Sequence, residues 1–213
     1  NSTVASNTGN FGGGIYTSMS RLYLDSTVVT GNTANFTGGG IYIETGILYA
    51  TNATLSYNTA INSLGGGAYI SLFEPELDVS DFIGSTLPGF SHSDIVGNHV
   101  QGLYGGGLYI TSSSGLAQPH AADTQPILDP VTLYLDHTSI RDNKAGQSGG
   151  GVYWESGIAI LQSVVFDRDT SQSGYGGALY LSSLNAALDS VTMTSNRAYN
   201  SGGGLYAAGC NIY

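Results

Sequence analysis

A five-residue phrase, Gly-Gly-x-aliphatic-Tyr, returns seven times in this chain, closing at Tyr16, Tyr42, Tyr69, Tyr109, Tyr153, Tyr180 and Tyr206. Self-similarity at a fixed period constrains a fold more than local propensity does, because each copy must bury its apolar side against the next. A second anchor precedes every copy: an apolar residue three positions before an Asn. The pairs are Val4/Asn7, Val29/Asn32, Leu55/Asn58, Ile95/Asn98, Ile140/Asn143 and Met193/Asn196, with Phe166/Asp169 carrying Asp in place of Asn. The step from anchor to Tyr is nearly constant, from Asn7 to Tyr16 at its shortest and from Asn58 to Tyr69 at its longest. The step from Tyr to the next anchor is equal in four cases, as from Tyr16 to Asn32, and much longer from Tyr69 to Asn98 and from Tyr109 to Asn143. The unit is therefore the interval from Tyr16 to Tyr42 or from Tyr42 to Tyr69, and two consecutive units carry insertions, at 72–90 and 112–130, in the same half of the repeat.

The runs between the Gly triplets, such as Arg21-Leu22-Tyr23-Leu24 and Val131-Thr132-Leu133-Tyr134-Leu135, have strand period and β-branched or aromatic content, without helical periodicity. Gly and Asn between them suit left-handed corners, Gly at no steric cost and Asn at less than other residues. Short strands turned by tight corners at a constant period wind into a solenoid. A leucine-rich repeat of similar period would place Leu at fixed offsets around its Asn. The residues five before the anchor are instead Thr27, Ala53, Ser93, Thr138, Val164 and Val191. In a β-coil each residue lies about 4.8 Å above its equivalent, so like residues form ladders.

Gly176-Gly177-Ala178-Leu179 resembles the Gly-Gly-Ala-(Ile/Leu/Val) motif of polymorphic outer membrane protein repeats, and the aliphatic-x-x-Asn anchors are similar to that family's Phe-x-x-Asn. The chain departs from the pattern in keeping the Phe only at Phe166 and in using Gly for Ala in the other six copies. The resemblance implies a right-handed parallel β-helix on a cell surface, used in adhesion. The reading is then one all-β domain over 1–213, a right-handed parallel β-helix of about seven coils with two loop insertions.

Composition narrows the chemistry. Charged residues make up 9%, against roughly 25% in an average soluble protein. Net charge is −10, and Lys144 is the one lysine. A nucleic-acid partner is excluded, since a basic face supplies most of that affinity. No apolar run approaches the length of a membrane span, so no membrane insertion is expected. The opening at Asn1, without a basic or apolar leader, is read as a mature form or internal fragment. The single Cys, Cys210, builds no disulfide framework.

Candidate chemistry is sparse. A hydrolase needs two carboxylates about 5 to 9 Å apart, and a lyase needs a base beside an acidic calcium cluster. The first insertion holds Glu74, Glu76, Asp78 and Asp81; the second holds His120, Asp123 and Asp129; Asp167-Arg168-Asp169 forms a third cluster. The two loops should emerge side by side as one acidic flap, built of solvated residues. His92 and His137 share one phase of the repeat and should stack outside the coil. No Gly-x-Ser-x-Gly elbow occurs, and the Gly triplets have no Lys after them, so they are not phosphate loops. No enzyme, cofactor or metal site is expected.

Recognition features are more numerous. Tyr16, Tyr42, Tyr69, Tyr109, Tyr153, Tyr180 and Tyr206 should stack along the rod, as coil-stabilising pairs or as a sugar-binding strip, with Tyr23, Tyr49 and Tyr134 in a second partial row. Sequons at Asn1, Asn35 and Asn52 mark glycosylation positions, of which Asn1 and Asn52 should face solvent. Joining the end to the beginning makes the step from Tyr206 through Tyr213 and Asn1 to Asn7 only slightly shorter than the internal step from Tyr16 to Asn32. Asn1, Cys210 and Tyr213 are therefore the expected seam at which copies stack head to tail, a contact that does not close and grows a filament; a segment cut from a longer covalent β-helix would give the same register by continuity. The function expected is an extracellular or cell-surface structural and adhesive rod whose partners are itself and glycans or a host surface. A carbohydrate-binding rod, or a pectin-lyase-like lyase or hydrolase, is the alternative.

Overall fold

Corners decide the path of a chain whose described residues form strands and no helix. In the computed structural model, which describes residues 1–72, 87–112 and 132–213, left-handed backbone recurs at fixed phases of the repeat. The residue before every anchor adopts it: Ser6, Gly31, Tyr57, Gly97, Asp142, Arg168 and Ser195, with φ from 53° to 63°. So do residues six before the anchor, among them Asn52, His92, His137 and Ser163 at 43° to 53°. This corrects the expectation that the anchor Asn is itself the left-handed corner. None of the anchors has positive φ; the corner falls one residue earlier and turns the anchor side chain inward.

The Gly triplets have three separate reasons, seen at Gly38-Gly39-Gly40. Gly38 holds φ 68°, where L side chains are strained. A Cβ on Gly39 would overlap the Gly66 carbonyl of the next coil. A Cβ on Gly40 would sit 2.6 Å from the Gly67 carbonyl and 2.9 Å from the Asn58 amide carbon. The triplet is thus where backbone meets backbone between coils.

Each coil crosses three faces, and every described strand pair is parallel. One face is a seven-stranded sheet running from Ser2–Ala5 to Thr192–Thr194, the second a seven-stranded sheet from Thr8–Phe11 to Arg197–Ala198, and the third a 13-stranded sheet. The third holds two strands per coil, such as Val152–Glu155 and Ile158–Gln162, separated by left-handed Ser156 and Gly157. In the second coil these two strands fuse into the single long strand Ile41–Thr51, which ties the whole face together. The fold is a parallel β-helix solenoid.

Inward residues follow the alternation of a strand. Val29, Leu55, Ile95, Ile140 and Phe166 are fully buried and pair in unbroken register, with half-buried Val4 and Met193 at the two ends. Ile43, Ile70, Ile110, Trp154 and Leu181 form a second buried column on the third face. The insertions leave and return in neighbouring coils: Leu72 pairs with Ser112 on departure, and Gly89 with Tyr134 on return. Leu72 and Phe90, at the bounds of the first insertion, are themselves core residues.

Candidate functional site

The third face carries the tyrosine ladder. Centroid separations along Tyr16, Tyr42, Tyr69, Tyr109, Tyr153, Tyr180 and Tyr206 run 5.4, 4.9, 5.3, 5.2, 4.4 and 5.1 Å, and adjacent rings tilt by no more than 19°. Each ring alternates along its strand with an inward aliphatic residue, so the coil spacing itself brings the rings into stacking range. Such pairs contribute about 0.5 to 1.5 kcal/mol each beyond burial. Tyr104 and Tyr175 extend the cluster sideways, onto Tyr153 at 4.6 Å and Tyr206 at 4.7 Å. The stacking has a chemical consequence: inside the ladder both faces of each ring are covered by its neighbours, leaving edges and hydroxyls outward. A sugar ring that stacks on an aromatic face finds none free within the row. The partial row behaves differently: Tyr23 stacks on Tyr49 at 4.8 Å, but Gly89 stands between Tyr49 and Tyr134 and interrupts it.

Two of the ladder hydroxyls are held by carboxylates. Tyr16 donates to Glu44 at 2.6 Å and Tyr109 to Glu155 at 2.8 Å. The bond from Tyr16 keeps Glu44 below the ordinary carboxylate range and holds the Tyr16 hydroxyl protonated. Burial raises Tyr42, Tyr69, Tyr109, Tyr153 and Tyr180, and the Glu155 carboxylate adds to the effect at Tyr109. An unfolded tyrosine ionises near pH 10, while these resist. Their stabilisation is complete below that pH and falls as pH rises through the folded values, because the unfolded chain then releases more protons. Phenolate absorbance of Tyr42, Tyr69, Tyr109, Tyr153 and Tyr180 is therefore expected to rise together with loss of the strand signal in circular dichroism. Phenolate from these five appearing at about pH 10 in a fully folded rod would contradict their burial in the stack.

A second ladder is formed by the anchors, which the sequence marks as recurring but not as inward-facing. Anchors Asn32, Asn58, Asn98, Asn143 and Asp169 are buried, Asn7 is exposed and Asn196 half-buried. The side chains bond from coil to coil: Asn7 Nδ2 donates to Asn32 Oδ1, Asn32 to Asn58, Asn58 to Asn98, Asn98 to Asn143 and Asn143 to Asp169, each at 3.0 Å. The same oxygens, and that of Asn196, accept the backbone N–H of the preceding anchor at 2.9 to 3.0 Å. The signal that could reveal it is a polar residue at constant phase from an inward aliphatic, facing the third Gly of each triplet.

The Asp167-Arg168-Asp169 cluster does not assemble as a catalytic pair. Asp169 turns inward and is fully buried, while exposed Arg168 binds Asp142 through Nε and Nη2 at 2.8 and 2.9 Å and also contacts Asp167. His92 and His137 stack at 4.9 Å with 2° between planes, outside the coil, and His137 Nδ1 meets Asp136 at 2.6 Å. Among the described residues no group of three or more potential ligands gathers as a metal site. Glu74, Glu76, Asp78, Asp81, His120, Asp123 and Asp129 lie outside the described residues.

Asn1, Asn35 and Asn52 are all exposed, and Asn52 stands at a left-handed corner. Cys210 is a half-buried free thiol, 3.4 Å from the Ala208 carbonyl, and Tyr213 is 81% exposed. On the second face Lys144, Thr170 and Arg197 lie in one row beside Tyr199. Both cations are solvent-exposed, which leaves this an open surface. No described helix is long and apolar enough to cross a membrane.

Residues 190–208 match the Chlamydia polymorphic membrane protein repeat, in agreement with the motif resemblance read from the sequence. Those residues supply the last position of the core column, Met193, the last anchor, Asn196, and the last ladder tyrosine, Tyr206. Neither a curated protein nor a solved structure matches the chain.

Proposed function

Proceeding from a β-helix whose residues 190–208 match a repeat of chlamydial membrane proteins, we propose that this chain is a non-enzymatic rod of a cell-surface protein, and that copies stack head to tail along its axis. One observation carries the reading. Every recurring side chain of the repeat (aliphatic column, anchor amide, tyrosine) makes its principal contact with its own equivalent in the next coil. Such contacts transmit stacking and, among the described residues, leave no cluster for chemistry. The same geometry supports the head-to-tail contact. The outer strands Ser2–Ala5 and Thr192–Thr194 border the same sheet at opposite ends. Val4 and Met193 are half-buried at the two ends of the described core column, which a further coil, from another copy or from the same chain, would cover. A carbohydrate partner takes second place, since the ladder offers hydroxyls and edges; it would bind beside Tyr104 and Tyr175, in a groove of about 210 Å³ that Gln147 and Ser148 also line.

Electron microscopy of the 1–213 chain at increasing concentration tests the stacking. Filaments with an axial repeat of roughly 34 Å, seven coils at about 4.8 Å each, are expected. Isolated rods at every concentration would overturn self-association.

A further inference from the structure

The amide ladder contains one member that cannot donate from its side chain when ionised. At the asparagines, Nδ2 reaches back to the carbonyl of the core residue in the preceding coil: Asn32 to Val4, Asn58 to Val29, Asn98 to Leu55 and Asn143 to Ile95 at 2.9 Å, and Asn196 to Phe166 at 3.0 Å. The missing member of this series is the Ile140 carbonyl, which by register belongs to Asp169. Asp169 keeps the accepting half of the pattern, its Oδ1 taking the N–H and Nδ2–H of Asn143 at 2.9 and 3.0 Å. Its backbone N–H reaches Asn196 Oδ1 at 2.9 Å, so the next coil is in the same place as elsewhere. Its Oδ2 is buried without a partner.

Oδ2 therefore occupies the Nδ2 position, where the repeat presents two acceptors, the Ile140 carbonyl and Asn196 Oδ1. A carboxylate there would set a charged oxygen against both. The nearest cation in sequence does not offset it: Arg168, the adjacent residue, points outward into Asp142 and Asp167. A proton on Oδ2 turns repulsion into the hydrogen bond that the asparagines make.

We propose that Asp169 is held as a neutral carboxylic acid at neutral pH, donating from Oδ2 to the Ile140 carbonyl, and that this makes the junction between the coils of Asn143, Asp169 and Asn196 a pH-responsive element of the rod. Burial is the main influence that raises its proton affinity; Asp142 and Asp167 reinforce it and the two bonds from Asn143 oppose it. The sign follows from linkage. Below the unfolded value, about 3.9, the stabilisation is complete. As pH rises from there the unfolded chain loses its proton while the folded rod keeps it, so stability falls until Asp169 itself ionises. Asp142, which Arg168 holds below the usual carboxylate range, and Glu44 work in the opposite direction. The effect must therefore be read as a difference between variants.

The test compares the 1–213 chain with its Asp169→Asn variant in thermal melts from about pH 4 to about pH 9, a range that starts at the unfolded carboxyl value. Asn supplies the donor at every pH, so the variant is expected to gain little at the acid end and at least about 3 °C at the alkaline end relative to the parent, a gap that widens with pH. A gap independent of pH overturns the proposal. Carboxyl carbon NMR of the parent at neutral pH, with the Asp169 signal assigned by its loss in the variant, gives a reading independent of stability. A protonated-carboxyl shift is expected, and an ionised one overturns the assignment.

Discussion

Ile140→Asp is expected to cost about 3 to 5 kcal/mol, the penalty of an uncompensated buried charge. Ile140 is fully buried between Ile95 and Phe166 in adjacent coils, and the column around it is aliphatic and aromatic, with no cation to pair with a new carboxylate. Against a total stability of about 5 to 15 kcal/mol this is a large share. In a solenoid, moreover, each coil is stabilised mainly by its neighbours. The variant should therefore melt in two stages, with the flanking coils separating at the substituted one. Ile140→Val removes one methylene and should cost about 1 kcal/mol in a single transition. Guanidinium unfolding measures both. An Asp variant within about 1 kcal/mol of the parent would mean that the column is not the core.

Asn98→Ala has the second-largest expected effect, about 4 kcal/mol, from the loss of several buried hydrogen bonds at once. Asn98 Oδ1 accepts from Asn58 N and Nδ2 at 3.0 Å, and its Nδ2 donates to Leu55 O at 2.9 Å and Asn143 Oδ1 at 3.0 Å. Truncation removes all of these in a buried setting and leaves the Asn58 N–H and its partners short of hydrogen bonds, at about 1 to 3 kcal/mol for each unsatisfied group. Asn62 provides the contrast, since its Nδ2 bonds the Asn35 carbonyl at the surface, and Asn62→Ala should stay within about 0.5 kcal/mol. Equal losses at the two positions, read in the same denaturation series, would remove the anchor ladder as the organising interaction.

These two sites also mark how far the sequence reaches. The phase of Ile140 alone assigns it to a buried column, and the structure places it there: an aliphatic residue three before a recurring polar one, in a chain without helical periodicity, has one side on which to be buried. The tyrosine row and the His92–His137 pair are legible for the same reason, since a constant period in a β-coil puts like over like. Asn98 is legible as an anchor and easily mistaken for a corner. Sequence spacing cannot separate a residue that adopts left-handed φ from its neighbour, and Asn is apt for either role. Only the three-dimensional register shows the preceding residue, Gly97 or Tyr57 or Arg168, taking the turn and aiming the anchor side chain inward. Spacing likewise makes Asp167, Arg168 and Asp169 look like one charged cluster, whereas the corner at Arg168 divides them between surface and interior. Period, coil number, core column and stacked rows follow from sequence, because they depend on translation by one repeat. Which polar groups are buried, which ring faces remain open and which carboxyl lacks a partner depend on the direction each side chain takes at a corner, and that is decided by the tertiary structure.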